Sequence, residues 1–282
     1  MLLHILGRNA GCSGYLVKIG EKRLLLDCGP GILGRLQSVC RLEDLDAIWL
    51  SHLHADHFLD VIPLAYGLMA RCMTLKASYH IKQIPLFLPM GTKHILTALS
   101  RVLGHPDWRF MPVAGAAQVY EEFLQVISEQ EDFVFGLLPT VEYDLNGCLD
   151  ILGTHVRMRS VNHGVPASAI LLEFGGLSFV YSGDTAYCPQ LIELAHGADV
   201  LLCEATTTPD DSSFYAYHMS AFEAGRVASE AQVKKLILTH LSPWVDEACV
   251  LQEAGKAFSG EILLAREGKT FELKALPRNK SS

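Results

Sequence analysis

The sequence feature that most constrains this chain is a cluster of metal-binding side chains directly after an apolar segment. The apolar run 47–50 is followed at once by three histidines and an aspartate, in the order Ser51-His52-Leu53-His54-Ala55-Asp56-His57. Imidazole and carboxylate groups are ligands that Zn²⁺, Mn²⁺ and Fe accept. Buried polar groups without partners are costly, so a purely structural role does not explain so dense a cluster. We therefore predict a metal site on a loop at the C-terminal end of a strand.

The same arrangement recurs along the chain, because several apolar strands end just before a histidine, aspartate or glutamate. The predicted strands 47–50, 154–161, 177–181, 198–203 and 235–238 lead into His52, His163, Asp184, Glu204 and His240. In open α/β sheets, ligands bind in the crevice outside the carboxyl ends of the strands. Five strands that deliver such side chains to one edge predict a single site assembled from distant parts of the chain.

Apolar patterning predicts the remaining elements. Further strands are expected over 2–6, 15–19, 23–26, 84–89 and 169–174, and helices over 32–40, 58–69, 91–103, 189–196, 221–231 and 246–257, with two short strands after the last helix. Thr92 is a suitable N-cap for the helix 91–103. The pattern is weakest over 72–150, where His80, His94 and His105 are interpreted as surface or capping residues.

Two glycine-containing loops leave their roles open. The loop 7–14 has three glycines, but no Gly-Lys-Ser/Thr follows, so a hairpin-like loop is favoured over a phosphate-binding loop. The strand 23–26 ends in Asp27-Cys28-Gly29-Pro30-Gly31, a sequence that forces a sharp turn. Asp27 could orient a ligand histidine from outside the metal site, or it could simply stabilise the turn.

Composition limits the class of protein. The chain has 282 residues, 50% of them hydrophobic, so one domain over residues 1–282 with a flexible tail at 276–282 is expected. Net charge is −8 with scattered basic residues, which disfavours a nucleic-acid partner. Eight cysteines form no CxxC pair, and no signal peptide or apolar run of about 20 residues is present. We expect a soluble cytoplasmic protein with no membrane contact.

The order and spacing of these residues resemble a known family. His52-x-His54-x-Asp56-His57 followed by His163, Asp184 and His240 is similar to the metallo-β-lactamase superfamily, supported by Asp27-Cys28-Gly29, Ser182-Gly183-Asp184-Thr185 and Thr239-His240-Leu241-Ser242. The resemblance implies an α+β fold, a four-layer αββα sandwich of two mixed sheets with helices on the outer faces. It also implies two metal ions, usually zinc. One would take His52, His54 and His163, the other would take Asp56, His57 and His240, and Asp184 would bridge them.

Within the superfamily the chain most resembles the ribonuclease Z-like branch. There a glutamate in Cys203-Glu204-Ala205-Thr206 and a histidine in His218-Met219-Ser220 assist the site. The branch's tRNA-processing members carry a long basic arm that is not found here. They also typically have Phe-Ser-x-Arg-Tyr after the last ligand, where this chain has Leu241-Ser242-Pro243-Trp244-Val245. The chain is more similar to armless bacterial hydrolases, some of which are cyclic-nucleotide phosphodiesterases.

The expected activity is therefore hydrolysis of a small anionic phosphodiester, such as a cyclic nucleotide, by a metal-bridging hydroxide. Asp56 would orient the nucleophile and take its proton, and His218, held by Glu204, would protonate the leaving oxygen. A purely structural Glu204–His218 pair is the alternative. Competing activities are tRNA 3′ processing and hydrolysis of a carbon ester, thioester or lactone, while a complete ligand set argues against a non-enzymatic scaffold. Zn²⁺, Mn²⁺ and Fe remain possible metals. The apolar helix after His57 could form a homodimer interface or lie in the core.

Overall fold

A computed structural model describes residues 1–74, 82–103, 137–207 and 216–275 of the chain. Its strands are β1 (Leu2–Asn9), β2 (Cys12–Ile19), β3 (Lys22–Leu26), β4 (Ala47–Trp49), β5 (Leu86–Pro89), β6 (Thr140–Tyr143), β7 (Cys148–Ile151), β8 (Thr154–Ser160), β9 (Ser168–Phe174), β10 (Leu177–Tyr181), β11 (Val200–Glu204), β12 (Lys235–Thr239), β13 (Glu261–Leu264) and β14 (Thr270–Glu272). Its helices are α1 (Ile32–Val39), α2 (Ala55–Phe58), α3 (Val61–Thr74), α4 (Lys93–Leu103), α5 (Pro189–Ala195), α6 (Ala221–Glu230) and α7 (Glu247–Gly255), with a 3₁₀ turn at Leu42–Asp44. None of the described helices has the length and apolar character needed to span a membrane.

The strands of the described residues form two seven-stranded sheets. The first has the order β14-β1-β2-β3-β4-β5-β6, and the second has the order β13-β12-β11-β10-β9-β8-β7. Strands β3 to β6 pair in parallel, as do β10 to β13. The other neighbours pair antiparallel. Both sheets are therefore mixed, as expected.

Within the part of the chain that the structure describes, three apolar clusters define the layers. Because side chains alternate across a strand, Leu24 of β3 lies in the cluster between the two sheets, whereas Leu25 packs against the helices outside the first sheet. In the second sheet, Leu202 of β11 faces the inter-sheet cluster and Leu201 faces the outer helices. A helix layer on each outer face and two sheets between them form the predicted four-layer αββα sandwich.

The strand directions explain why the polar side chains meet. Strands β8 and β10 both run antiparallel to β9, so β8, β10, β11 and β12 all point the same way. Strands β3 and β4 are parallel to each other in the opposite sheet. The residues that follow these six strands are brought to one edge of the sandwich.

Several predicted boundaries were wrong. The loop expected over 7–14 is largely strand, because β1 and β2 form a hairpin whose connection is only residues 10–11. The helix expected over 58–69 is two elements, so Asp56 and His57 lie inside the one-turn helix α2 and α3 starts only at Val61. Strands β6 and β7 escaped prediction because most of their residues are exposed or partly exposed and form no apolar run.

The apolar face of α3 is covered by the chain itself. Val61, Leu64, Ala65 and Leu68 are buried in the cluster between the first sheet and its helices. This packing favours the core role for the helix over an interface role. The homodimer stays a prediction, and the tail 276–282, His80 and His105 lie outside the described residues.

Candidate metal centre

The first group of predicted ligands is a trio of histidines. Ligand atoms of His52, His54 and His163 lie within 4.8 Å of one another, and His54 Nδ1 is 2.9 Å from His163 Nε2. His52 and His163 are buried. Burial lowers the pKa of His52 well below its usual value and lowers the pKa of His163 to about 4. Both rings are therefore neutral at neutral pH, which is the form that binds a metal.

The second group joins two carboxylates and two histidines. Asp56, His57, Asp184 and His240 each place a ligand atom within 4.8 Å of the others. The Nε2 atoms of His57 and His240 are 3.3 Å apart, and His240 Nε2 lies 3.3 Å from Asp56 Oδ2. These atoms converge on one point at the sheet edge, as the resemblance implies.

Asp184 lies between the two groups. Its Oδ2 is 3.1 Å from His57 Nε2 and 3.3 Å from His240 Nε2, and it is 3.9 Å from His52 Nε2 and 3.8 Å from His163 Nε2. Burial favours the neutral acid, but the neighbouring His240 and His57 outweigh it and hold the pKa of Asp184 well below its usual value. One ionised carboxylate thus faces both histidine sets.

Two buried polar atoms without hydrogen-bond partners in the described part of the chain show that metal ions fit this site. His52 Nε2 and Asp184 Oδ1 are buried, and neither has a hydrogen-bond partner among the described residues. An unsatisfied buried polar group costs about 1–3 kcal/mol, more when it is charged. Divalent cations would satisfy both atoms. The residues present therefore fit a two-metal site, and all seven predicted ligands are at one place.

Asp27 makes the outer contact that the sequence left open. Its buried carboxylate accepts hydrogen bonds from His57 Nδ1 at 2.8 Å, Tyr181 Oη at 2.6 Å, and the backbone N–H and hydroxyl of Ser51 at 2.7 and 2.8 Å. Because Asp27 accepts from Nδ1, the His57 Nε2 atom is directed toward Asp184. This geometry favours the orienting role over a simple turn.

The other buried histidines are also anchored through Nδ1. His52 Nδ1 contacts Ser51 Oγ at 3.0 Å, His163 Nδ1 donates to the carbonyl of Tyr217 at 3.1 Å, and His240 Nδ1 contacts Thr206 Oγ1 at 2.7 Å. Such contacts fix the ring orientation of ligand histidines. Sequence reasoning did not assign these three partners. Ser51 directly precedes His52 and Thr206 lies two residues after Glu204, but a backbone carbonyl such as that of Tyr217 leaves no side-chain signal.

Glu204 and His218 lie beside both groups. His218 Nδ1 donates to the buried Glu204 carboxylate at 3.1–3.2 Å, and the His218 ring centre is 5.0 Å from that of His163 and 5.5 Å from that of His240. Burial lowers the pKa of His218, but the hydrogen bond and charge of Glu204 outweigh it, so the pKa is raised. Glu204 also accepts from the backbone N–H groups of Thr185 and Met219, so it supports the local fold as well.

Asp56 is held by the tip of the β1–β2 hairpin. The backbone N–H of Gly11 donates to Asp56 Oδ2 at 3.1 Å. Burial opposes ionisation of Asp56, but the hydrogen bond from His240 and the charge of His57 outweigh it, so its pKa is lowered.

Gly14 lies against Ile32, where a Cβ would come within 2.6 Å of that side chain. Close packing therefore explains Gly14, and a phosphate-binding loop is not needed.

Comparison with known protein families shows which family this chain belongs to. A model of the β-lactamase superfamily domain matches residues 22–241, which run from β3 to just past His240. This chain belongs to the β-lactamase superfamily. Superfamily membership and the His–Asp cluster together make the protein a metallo-hydrolase.

Individual members of the superfamily align over most of the chain. The Mycobacterium leprae protein ML1173 is 33% identical over 277 residues, covering 97% of this chain and 87% of that protein. The probable metallo-hydrolase YhfI of Bacillus subtilis is 29% identical over 264 residues, 94% of this chain and 93% of YhfI. Its crystal structure superposes with a TM-score of 0.75 at 25% identity, over 96% of this chain and 98% of that one. Ribonuclease Z of Archaeoglobus fulgidus is 25% identical over 281 residues, with 88% of this chain and 87% of that enzyme covered.

Proposed function

We propose that this protein is a dinuclear metal-dependent phosphodiesterase that acts on small phosphodiesters such as cyclic nucleotides. The observation that carries the proposal is the position of Asp184, whose Oδ2 faces histidines of both groups at 3.1–3.9 Å. In this proposal one metal is held by His52, His54 and His163, and the other by Asp56, His57 and His240, with Asp184 shared. Zn²⁺ is the expected ion, with Mn²⁺ and Fe as alternatives.

The charge of the site favours an anionic substrate. Two divalent ions bring four positive charges, and Asp56 and Asp184 remove two of them. The surrounding protein has a net charge of −8, so the loaded site would be a local positive centre on an acidic molecule. A small phosphodiester suits such a centre, because fixed positive charge attracts and orients a phosphate anion.

The chain's own residues supply the proton transfers. When bound, the two metals would provide hydroxide at neutral pH and polarise a phosphoryl oxygen. Asp56, with a side chain 26% exposed at the mouth of the site, would orient the attacking oxygen and take its proton. His218 would donate a proton to the leaving oxygen, and its hydrogen bond to Glu204 favours the protonated ring needed for this step.

Two other activities are alternatives to phosphodiester hydrolysis of small substrates. A tRNA 3′ endonuclease activity is suggested by the alignment with ribonuclease Z of Archaeoglobus fulgidus. The net charge of −8 and the lack of a basic arm in the sequence disfavour it, since tRNA binding depends on many phosphate contacts. A carbon ester, thioester or lactone could use the same metal ligands. The Glu204–His218 pair supports the phosphodiester over a thioester, because an alkoxide leaving group benefits from a proton donor more than a thiolate does. Carbon esters and lactones also expel an alkoxide, and against them the support is the resemblance of these two residues to the ribonuclease Z-like branch.

A substrate panel tests this proposal. Bis-p-nitrophenyl phosphate, cyclic AMP, a pre-tRNA transcript and a thioester are incubated with the full chain, with and without chelator and with added Zn²⁺ or Mn²⁺. We expect metal-dependent cleavage of the first two substrates and its loss in Asp56→Ala. Asp44→Ala serves as the control, because Asp44 forms an exposed ion pair with Arg41 outside the site. Cleavage of pre-tRNA without cleavage of cyclic AMP would establish the endonuclease instead.

A further inference from the structure

Thr206, two residues beyond β11, lies beside the ligand His240. Its side chain is buried, and its Oγ1 is 2.7 Å from His240 Nδ1, 2.7 Å from Glu204 Oε2 and 2.8 Å from the carbonyl oxygen of His240. We propose that Thr206 is a positioning residue that fixes the His240 ring for metal binding and links it to Glu204. This inference rests on the proposed ligand role of His240.

The sheet register creates this contact. Strands β11 and β12 are parallel neighbours, and Glu204 pairs with Thr239. The backbone N–H of Ala205 donates to the carbonyl of Thr239 at 2.9 Å, which continues the alignment beyond the strand ends. Thr206 and His240 therefore leave the two strands side by side. A hydroxyl at 206 reaches the ring and the carbonyl of residue 240 without further adjustment of the backbone.

The Thr206 hydroxyl has a single hydrogen, which determines which of its contacts it donates to and which it accepts from. A threonine hydroxyl has one hydrogen to donate and lone pairs to accept with. The Glu204 carboxylate and the His240 carbonyl only accept, so the hydroxyl hydrogen goes to one of them. The hydroxyl oxygen is then left to accept from His240 Nδ1–H. With Nδ1 held by Thr206, the ring places Nε2 3.3 Å from both Asp56 Oδ2 and Asp184 Oδ2.

The backbone of His240 adds a second reason for this contact. His240 has φ 51°, a left-handed conformation that side-chain-bearing residues rarely adopt. Such a conformation persists where surrounding contacts hold it. The Thr206 hydroxyl touches both the ring and the carbonyl of this residue. Thr206 can therefore restrain the ring and the strained backbone together.

Glu204 extends the link to His218. The Glu204 carboxylate lies 2.7 Å from Thr206 Oγ1 and accepts from His218 Nδ1. The His218 and His240 rings stack with centres 5.5 Å apart and planes 7° apart. One buried carboxylate thus holds the proposed proton donor directly and a proposed metal ligand through Thr206. Removing the hydroxyl should loosen His240 while the Glu204–His218 contact remains.

The test measures metal affinity of the full chain after chelator treatment. Wild type, Thr206→Val, Thr206→Ala, Thr206→Ser and His240→Ala are titrated with Zn²⁺ against a competing chromophoric chelator, with circular dichroism to confirm folding. For wild type we expect two bound equivalents. In Thr206→Val and Thr206→Ala we expect one of the two to weaken by about 10–100-fold, the range for loss of a partner of a ligand histidine. Thr206→Ser, which keeps the hydroxyl, should bind both equivalents as wild type does.

The His240→Ala variant distinguishes an error in the proposed ligand set from an error in the role of Thr206. If His240→Ala also binds both equivalents with unchanged affinity, the proposed ligand set is wrong. If His240→Ala loses one equivalent while Thr206→Val or Thr206→Ala retains both at wild-type affinity, the ligand set stands and the role of Thr206 is wrong. Equal weakening in Thr206→Ser would also overturn it, because that variant preserves the hydroxyl.

Discussion

The Asp27 carboxylate lies 2.8 Å from His57 Nδ1, and both side chains are fully buried. This contact directs His57 Nε2 toward Asp184 Oδ2, 3.1 Å away. We predict that Asp27→Asn weakens one of two metal equivalents by about 10–100-fold, because an amide is a poorer acceptor for the ring N–H. Asn tolerates the left-handed φ of 57° at this position, so the backbone is preserved.

Tyr181→Phe is the matched control for Asp27→Asn. It removes one hydrogen bond to the same carboxylate and leaves the His57 contact in place. A loss of about 1 kcal/mol in unfolding free energy is expected, with little change in metal affinity. If the two variants lower metal affinity equally, Asp27 does not act through His57. The readouts are metal competition and urea denaturation.

Proton release should distinguish the two metals. The pKa of His57 is raised well above its usual value, because Asp184 and Asp27 outweigh the effect of burial. His57 is therefore protonated at pH 7 before metal binds, and the metal must displace the proton from Nε2. His52 and His163 have lowered pKa values, so the metal at their group displaces none from them. Metal affinity at the His57 group should rise with pH around neutrality. Metal affinity at the group of His52 and His163 should fall only as the pH drops toward the His163 pKa of about 4.

Calorimetry checks this difference directly. Chelator-treated protein is titrated with Zn²⁺ at pH 7 in two buffers of different ionisation enthalpy. One equivalent should give a heat that depends on the buffer, and the other should give the same heat in both. If the heat of neither Zn²⁺ equivalent depends on the buffer, His57 is already neutral before metal binds.

The proposed proton donor can be tested through the leaving group. We predict that His218→Asn slows cyclic AMP hydrolysis by about 10²–10⁴-fold, the usual contribution of a general acid. Bis-p-nitrophenyl phosphate should be affected much less, because nitrophenolate leaves without protonation. His155→Asn is the control, since His155 is exposed on β8. Equal slowing of both substrates would point to a binding or structural role for His218.

Gly29 is predicted to be essential for placing Asp56. A Cβ at this position would lie 1.8 Å from the Asp56 carbonyl oxygen, so Gly29→Ala must displace α2. Overpacking of this kind costs about 1–3 kcal/mol, and metal affinity should fall with it. Gly34→Ala within α1 meets nothing within 4 Å and should stabilise the helix by about 0.5–1 kcal/mol. Urea denaturation compares the two, and a neutral Gly29→Ala would contradict the packing.

The sequence predicted which polar side chains converge better than it predicted the boundaries of the strands and helices around them. His52, His163, Asp184 and His240 were recognisable because apolar strands precede them, and parallel strands carry their ends to one edge. The edge strand β6 and its sequence neighbour β7 were missed because they face solvent along much of their length. The helix start after the motif was misplaced because α2 is only one turn long and lacks a side-chain cap.

The contacts around the ligands needed the folded structure. Asp27 had two equal interpretations in sequence, since a carboxylate before Cys-Gly-Pro-Gly can stabilise the turn or can orient the ring of a ligand histidine. Thr206 had no assigned role, because its contact with His240 arises from the pairing of β11 with β12 across 34 residues of chain. Such pairings depend on tertiary packing, which local patterns do not encode.

We propose that two metals together make this protein a phosphodiesterase. The most direct measurement is the initial rate of cyclic AMP hydrolysis by chelator-treated full chain as Zn²⁺ or Mn²⁺ is added in known equivalents. We predict negligible cleavage without metal and a rate that reaches its plateau at two equivalents per chain. A plateau at one equivalent would contradict the dinuclear site, and no cleavage at any metal loading would contradict the proposed cyclic-nucleotide substrate.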